Sequence, residues 1–458
     1  MSRMRSGLVA GLVLLAGACG SSKKPVTAGT TTTSPPSGLT TTTQAQLTDS
    51  FRGVTSTSIK LGVAIIDYDC IKQFVDFNNG PQQAVEQALI DDLNNHGGVL
   101  GRKIVPVYKT YCPISPTVAL DVCQSFTEDA KVFAVVGVFA PTYPDAQLCL
   151  SRDHKTILIG HELDQATIAQ APPGLLITPD IAAERRVSVL MSILKKQGTL
   201  QGKKVAILAD QDNQKATDTV VKPAFDSMGL QQGSEAILTL NGTADNSAAQ
   251  TQLDSFIERW KSEHVDVLFM AGLNVTSKQF VEKIKARMPA LQLVTDGESG
   301  THGAAQGEVA AHRRPNPYEG ILTATGPSAD DIWNSPPVQA CAKVYEVASG
   351  QTLLAPSQVK AGPDGHTTQT YAAVENFCSE LQMFRQIAEK AGPNLTNDTW
   401  TAAANSFGPI SLPGDQYASI RTGKYDADDG FGLVAFDSTI GPQGDWKPLS
   451  PVLNTAVG

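Results

Sequence analysis

Polar side chains able to grip a small solute stand a few positions beyond short apolar runs in this sequence. Asp67 and Tyr68 follow the run Ile59 to Ile66, and Thr142 and Tyr143 follow the run that ends at Phe139. His161 and Glu162 follow Thr156 to Ile159. Gln214 closes Asp210-Gln211-Asp212-Asn213-Gln214 after Val205 to Ala209. Asn274 follows Gly272, and Asp296 and Glu298 follow Leu291 to Thr295. Carboxylates of this kind hold an ammonium group, hydroxyls and amides hold either end of a polar solute, and His161 can donate to an anion.

The same residues lack the spacings that catalysis needs. His161-Glu162 has no second histidine four positions after the first, so the zinc-protease pattern fails. Gly297-Glu298-Ser299-Gly300 lacks the spacing of a nucleophile elbow. No G-x-x-x-x-G-K-[ST] phosphate loop occurs, and Asp426-Ala427-Asp428-Asp429-Gly430 lacks the later Glu of a calcium loop. The chemistry expected is binding, with no catalytic residue, metal or cofactor. An exported hydrolase is the competing enzyme class.

The N-terminus reads as an address. Arg3 and Arg5 precede an apolar stretch from Gly7 to Ala18 that is shorter than the ~20 residues of a membrane-spanning helix, as in a signal peptide over residues 1–18. Leu15-Ala16-Gly17-Ala18-Cys19-Gly20 resembles a bacterial lipobox, which implies a lipid on Cys19. Removing the signal takes away two arginines, so the net charge of −9 becomes −9 − 2 = −11, and membrane attachment is expected through the lipid alone. Residues 19–53 form the expected tether, rich in Thr, Ser, Gly and Pro and including Thr30 to Thr33 and Thr40 to Thr43, with a coil dimension of about 30 Å.

Six cysteines remain in a compartment that oxidises thiols. Cys70 follows the first strand and Cys112 the second, which is its expected neighbour. Cys123 and Cys149 fall on successive helices of one sheet face, leaving Cys341 and Cys378 as the third pair; buried free thiols, at Cys123 and Cys149 above all, are the alternative to the full set of three.

The elements that position these residues are short apolar runs alternating with amphipathic stretches, the pattern of parallel strands joined by helical crossovers. Strands are expected at Ile59 to Ile66, Lys103 to Tyr108, Val132 to Phe139 and Thr156 to Ile159. Between the first two, Ala84, Val85, Ala88, Leu89 and Leu93 recur at helical spacing up to Gly97-Gly98. After Pro179 the pattern restarts, with strands at Val205 to Ala209, Ala236 to Leu240, Val265 to Ala271 and Leu291 to Thr295. Two doubly wound α/β units are expected, with a ligand cleft at the C-terminal ends of their strands. With 458 residues, 41% hydrophobic and 18% charged, the chain suffices for two such cores. Nucleic acid is excluded as a partner, because Asp+Glu (45) exceed Lys+Arg (36) without a basic run.

Ile59-Lys60-Leu61-Gly62-Val63-Ala64, Gly80, and Asn94-Asn95-His96-Gly97-Gly98-Val99-Leu100-Gly101-Arg102-Lys103-Ile104 resemble the opening of type I periplasmic binding proteins. More narrowly they resemble the branched-chain amino-acid (Leu/Ile/Val) receptors of ABC importers. Further matches are Val132 to Gly137, Thr370-Tyr371-Ala372-Ala373-Val374, Phe407-Gly408-Pro409-Ile410 and Gly414-Asp415, so the resemblance covers Ser58 to Phe436.

The resemblance implies two lobes, crossed three times by the chain, that close on a small ligand. The first lobe is expected to take residues 54–179 and 323–407, and the second 180–322 and 408–458. It implies no catalysis, a permease as partner, a monomer, and a place on the outer face of the cell membrane. A ligand-sensing lipoprotein without a transport role shares every sequence feature above and differs in having no permease as partner. Gly97, Gly98 and Gly101 are expected to supply positive-φ turns. At the binding loops the sequence departs from amino-acid receptors. Only Thr142 keeps a hydroxyl near the helix start where relatives hold the ligand carboxylate, and Pro141 has no N–H. The loop at His161-Glu162 is bulkier and acidic, and the segment from Asp210 to Gln214 carries no aromatic where relatives stack a Tyr on the ligand. An acid in the loop of Asp296 and Glu298 would resemble the group that holds the ligand ammonium.

Overall fold

The computed structural model describes residues 47–456, apart from 74, 76, 141, 142, 162, 241–246, 273, 364 and 442. The expected signal peptide, Cys19 and most of the expected tether lie outside the described residues. Residues 47–53, expected in the tether, are packed on the body instead. The Phe51 ring stands edge-on to Phe133 at 6.1 Å, and Ser50 Oγ donates to the Leu395 carbonyl at 2.8 Å. Arg102, fully buried, donates to the carbonyls of Thr48 and Thr55. Phe51 and Val54 are apolar, and the first core covers Val54 almost completely. Among the described residues no helix is long and apolar enough to cross a membrane.

The first sheet contains β1 (Ser58–Ile66), β2 (Lys103–Tyr111), β3 (Ala134–Gly137), β4 (Ile157–Ile159) and β5 (Leu176–Ile177), in the order β2-β1-β3-β4-β5, all parallel. Residues 61 and 63–66 of β1 are buried in succession, because helices cover both faces of a parallel sheet and leave no solvent side. On one face α1 (Gln82–Asn95) buries Val85, Leu89 and Leu93. Its chain reverses through Gly98 at φ +63°, where a Cβ would lie 2.0 Å from the Arg102 carbonyl oxygen, so glycine is required. The opposite face carries Val122, Phe126, Leu148 and Leu150.

The second sheet contains β6 (Lys204–Asp210), β7 (Gln231–Leu238), β8 (Val267–Ala271), β9 (Gln292–Thr295), β10 (Leu322–Thr325), β11 (Gly430–Asp437) and β12 (Asp445–Pro448), in the order β12-β11-β10-β9-β8-β6-β7. The pairs from β7 to β10 are parallel, while β10 with β11 and β11 with β12 are antiparallel. Strand β7 starts at Gln231, five residues before the expected Ala236, because an edge strand tolerates the polar run Gln231-Gln232-Gly233-Ser234-Glu235. Helix α2 (Ala183–Gln197) covers one face with Leu190 and Leu194, and Trp260 and Phe280 pack on the other. Helix α3 (Glu298–Ala310) follows β9.

The chain passes between the two cores three times. Ile177 belongs to the first core and Ile181 to the second. Ala324 belongs to the second and Trp333 to the first, while Ala427 belongs to the first and Phe431 to the second. The hand-overs therefore differ from the expected bounds. Residues 322–325 are a strand of the second sheet, so the second passage follows Thr325 and not residue 322. From 408 onward the chain was expected in the second lobe, yet Ile410, Leu412, Ala418, Ile420 and Tyr425 pack in the first core. They meet there α4 (Pro336–Ser349), α5 (Thr370–Ala391) and α6 (Asn397–Asn405). The first and third passages run side by side: Ala427 N donates to Thr178 O at 2.9 Å, and Asp428 N to Pro179 O at 3.0 Å. They form a two-stranded hinge.

Cys70 is bonded to Cys112, Cys123 to Cys149, and Cys341 on α4 to Cys378 on α5. The first pair follows from register: Ile66 of β1 lies opposite Tyr111 of β2, which brings the residues beyond them within reach, at a Cα separation of 5.9 Å.

Candidate functional site

The polar residues beyond the strand ends fall into one group in each lobe. In the first, His161 follows β4 and is buried, with Nδ1 2.8 Å from Asp180 Oδ2 and Nε2 2.6 Å from Glu380 Oε1. Asp180 lies in the first hinge strand and Glu380 on the buried face of α5. Burial alone would lower the His161 pKa, but the two carboxylates outweigh it and hold the imidazole well above 6.5, so His161 is a cation at neutral pH. Burial raises Glu380, and His161 opposes that rise together with the Gly137 amide. Gly137 ends β3 at φ +109°, where a Cβ would lie 2.3 Å from Ala64 O. Both His161 nitrogens face carboxylates of the protein itself, so the donation to a ligand anion expected from sequence is already taken up internally.

Arg185, in the first turn of α2, ties that helix to the third passage, the second strand of the hinge. Its guanidinium donates to Asp426, to Asp429 Oδ1 at 3.1 Å and to the Asp428 carbonyl. Lys424 Nζ lies 3.1 Å from Asp429 Oδ1, and Ser419 Oγ donates to Asp429 Oδ2 at 2.6 Å. The two cations thus neutralise Asp426 and Asp429, which are almost fully buried. Among the described residues two neighbouring acids, Asp415 and Asp428, make no direct ion pair, though His161 stands near Asp415 and Arg185 near Asp428. Burial followed by nearby carboxylates raises both, Asp428 to about 7 and Asp415 well above 3.8. Both retain partial exposure.

In the second lobe Asp210 is fully buried at the end of β6 and accepts from Asn213 N at 3.0 Å, from Asn213 Nδ2 at 2.8 Å and from Asn274 Nδ2 at 2.9 Å. Asp296, beyond β9, accepts from Gly272 N at 2.8 Å. Burial pushes its carboxyl up to about 6, against the Gly272 bond and the charge of Arg186. Asn274 and Asp296 therefore meet around Asp210 at adjacent strand ends.

The other expected contacts have local partners. Asp67 caps the short helix Tyr68–Ile71 by accepting from Asp69 N at 3.0 Å. Tyr68 Oη accepts from Asn79 Nδ2 at 3.1 Å, and its ring packs on Phe77. Tyr143 precedes the helix Pro144–Leu148, and Gln214 is exposed at the start of Gln214–Ala216. Glu298 accepts from Trp446 Nε1 at 2.6 Å, so the indole of β12 occupies the carboxylate expected for an ammonium. Thr142 and Glu162 lie outside the described residues. Sequence reasoning missed Glu380 and Arg185, which stand on helices α5 and α2, Asp415 in a loop of the first lobe, and Asp428 in the hinge. A recess of about 550 Å³, lined by Leu200, Val265 and Leu291 among others, lies at the opposite, N-terminal ends of the second sheet's strands, away from these groups.

Comparison with known proteins places this arrangement. A family model described as periplasmic binding protein matches residues 76–429. No curated protein matches the chain significantly. Among solved structures, a leucine-, isoleucine-, valine-, threonine- and alanine-binding protein from Brucella ovis is similar at 12% identity and a TM-score of 0.59, covering 88% of this chain and 97% of its own. An R. palustris solute-binding protein in complex with 4-hydroxybenzoate matches at 15% identity and a TM-score of 0.56, covering 87% and 97%. A fatty acid ABC transporter substrate-binding protein from Thermomonospora curvata matches at 15% identity and a TM-score of 0.55, covering 89% and 95%.

Proposed function

Because the chain belongs to the periplasmic binding protein family, we propose that it is the solute-binding subunit of an ABC importer, held on the outer face of the cell membrane by a lipid on Cys19. It captures a small polar solute, an amino acid or an amide-like compound, by closing one lobe on the other. It then presents the solute to a permease and performs no chemistry on it. The observation that carries this reading is the hinge. Two doubly wound lobes joined by three short passages can rotate as bodies while the paired hinge strands absorb the change.

His161 of the first lobe and Asp210, Asn274 and Asp296 of the second sit at or just beyond strand ends, where closure would bring them to bear on a solute. The solved relatives are named for ligands as different as branched-chain amino acids, 4-hydroxybenzoate and fatty acids, so likeness of fold does not pass a ligand to this chain. The lipid and the Thr-rich tether suit a monomeric receptor that must hold solute near the membrane and still reach a permease. Small-angle X-ray scattering of the mature protein tests the closure. A solute that binds should reduce the radius of gyration, and binding with an unchanged radius would contradict capture between lobes.

A further inference from the structure

Helices α1, α4 and α5 of the first lobe do not close over their own core. Between them lies a cavity of about 370 Å³, whose apolar lining is Leu89, Leu93, Leu381 and the half-buried Val344. Each helix turns a single side to it, since the lining residues recur at i, i+3, i+4 and i+7, as at 378, 381, 382 and 385 on α5. The lining residues of α1 fall at its C-terminal end. A crossover helix runs against the strands it joins, so this end of α1 lies towards the N-terminal ends of the first sheet's strands. The strand ends that carry His161 and face the other lobe are the opposite ones.

Two observations separate this cavity from a gap in packing. The Cys341–Cys378 disulfide stands in its wall and pins α4 to α5, which keeps the space formed in the absence of an occupant. Free donors also stand in the lining. Among the described residues Arg385 bonds only through Nε, to Glu389 Oε1 at 2.8 Å, so the protein pairs neither terminal amino group. Gln382, one turn earlier, has a side-chain amide without a partner among the described residues. The one acid of the lining, Asp92, has a partner of its own in His96, with Nδ1 3.3 Å from its Oδ1.

We propose that this cavity is a second small-molecule site, remote from the inter-lobe cleft, for a compact apolar molecule that carries one anionic group. The apolar body takes the place of water against Leu89, Leu93, Val344 and Leu381, and a carboxylate or sulfonate accepts from Arg385 and Gln382. The volume falls in the range of roughly 300–1,000 Å³ in which small ligands are buried. The site is independent of what the cleft binds.

Fluorescence titration with 8-anilinonaphthalene-1-sulfonate tests it, on the mature chain with Cys19→Ala, which carries no lipid to take up the dye. The control is N-phenyl-1-naphthylamine, the same ring system without the sulfonate. The sulfonate dye should saturate one site, and the uncharged dye should bind about tenfold or more weakly, the scale of one charged hydrogen bond. Ala340→Trp, built at an exposed position of the lining, fills the cavity and should abolish the site. Arg385→Gln should bring the sulfonate dye down to the affinity of the uncharged one. Both variants should keep the wild-type melting midpoint, since neither residue is buried. No saturable binding, or binding unchanged by Ala340→Trp, would overturn the site. Equal affinity for the two dyes, or no effect of Arg385→Gln, would overturn its preference for an anion.

Discussion

Replacing Glu86 with Gln should stabilise the protein at neutral and higher pH. Burial first, and the neighbouring Glu380 second, push the Glu86 carboxyl up to about 9 from an ordinary value of 4.5. A carboxyl raised on folding binds its proton more tightly in the native state than in the unfolded chain. Its favourable contribution is fully present below pH 4.5 and is lost as the pH rises towards 9. At pH 7 the interval is 7 − 4.5 = 2.5 units, worth about 3 kcal/mol at roughly 1.4 kcal/mol per unit, and the side chain is too buried for solvent to screen it. Glutamine has the same shape and no proton to hold, so this loss disappears in the variant. Urea unfolding at pH 5 and pH 8 measures it. Glu86→Gln should gain about 2 kcal/mol or more over wild type between the two pH values. Equal destabilisation at both would refute the reasoning, because it would mean that Glu86 is ionised and paired.

Arg185→Ala leaves Asp426 and Asp429 with Lys424 alone, and should lower stability to urea by about 3 to 5 kcal/mol, with Arg185→Lys losing less. Removing Cys123 and Cys149 together opens a loop with a sequence separation of 26 and should cost about 3.5 kcal/mol on the chain-entropy estimate, read as a lower melting midpoint. Denatured without reductant, mature protein should titrate at most one thiol, and more than one would refute the three disulfides. Cys19→Ala should release the protein from membranes into the soluble fraction, and membrane retention at the wild-type level would contradict lipid anchoring.

Individual residues show how far sequence pattern carries. Strand β1 could be read because a parallel strand is buried on both faces and needs an almost unbroken apolar run. The first half of β7 could not, since an edge strand exposes one flank and its polar residues look like a loop. Asp296 and Asn274 stand at strand ends as the alternation implied, and both converge on the second-lobe group around Asp210. His161 also follows its strand, yet what it does is fixed by Asp180 and Glu380, and Glu380 is one charged residue among several on an amphipathic helix. Glu298 shows the reverse: its position suggested a ligand contact, and a tryptophan distant in sequence takes its carboxylate. The third hand-over was missed for the same reason, because packing of Ile410 to Tyr425 against α5 and α6 is a tertiary choice with no periodic signal.

The most direct test of solute capture is the melting midpoint of the mature protein across a library of amino acids, amides, nucleosides and organic acids, with Leu, Ile and Val in the first plate. Ligand that binds only the folded state stabilises it by RT ln(1 + [L]/Kd), about 2.7 kcal/mol at a hundredfold excess over Kd. At least one small polar solute should raise the midpoint, and the rise should grow with concentration as that relation requires. A midpoint unmoved by every member of the library would contradict a solute-capturing role and favour a lipoprotein that acts through a macromolecular partner.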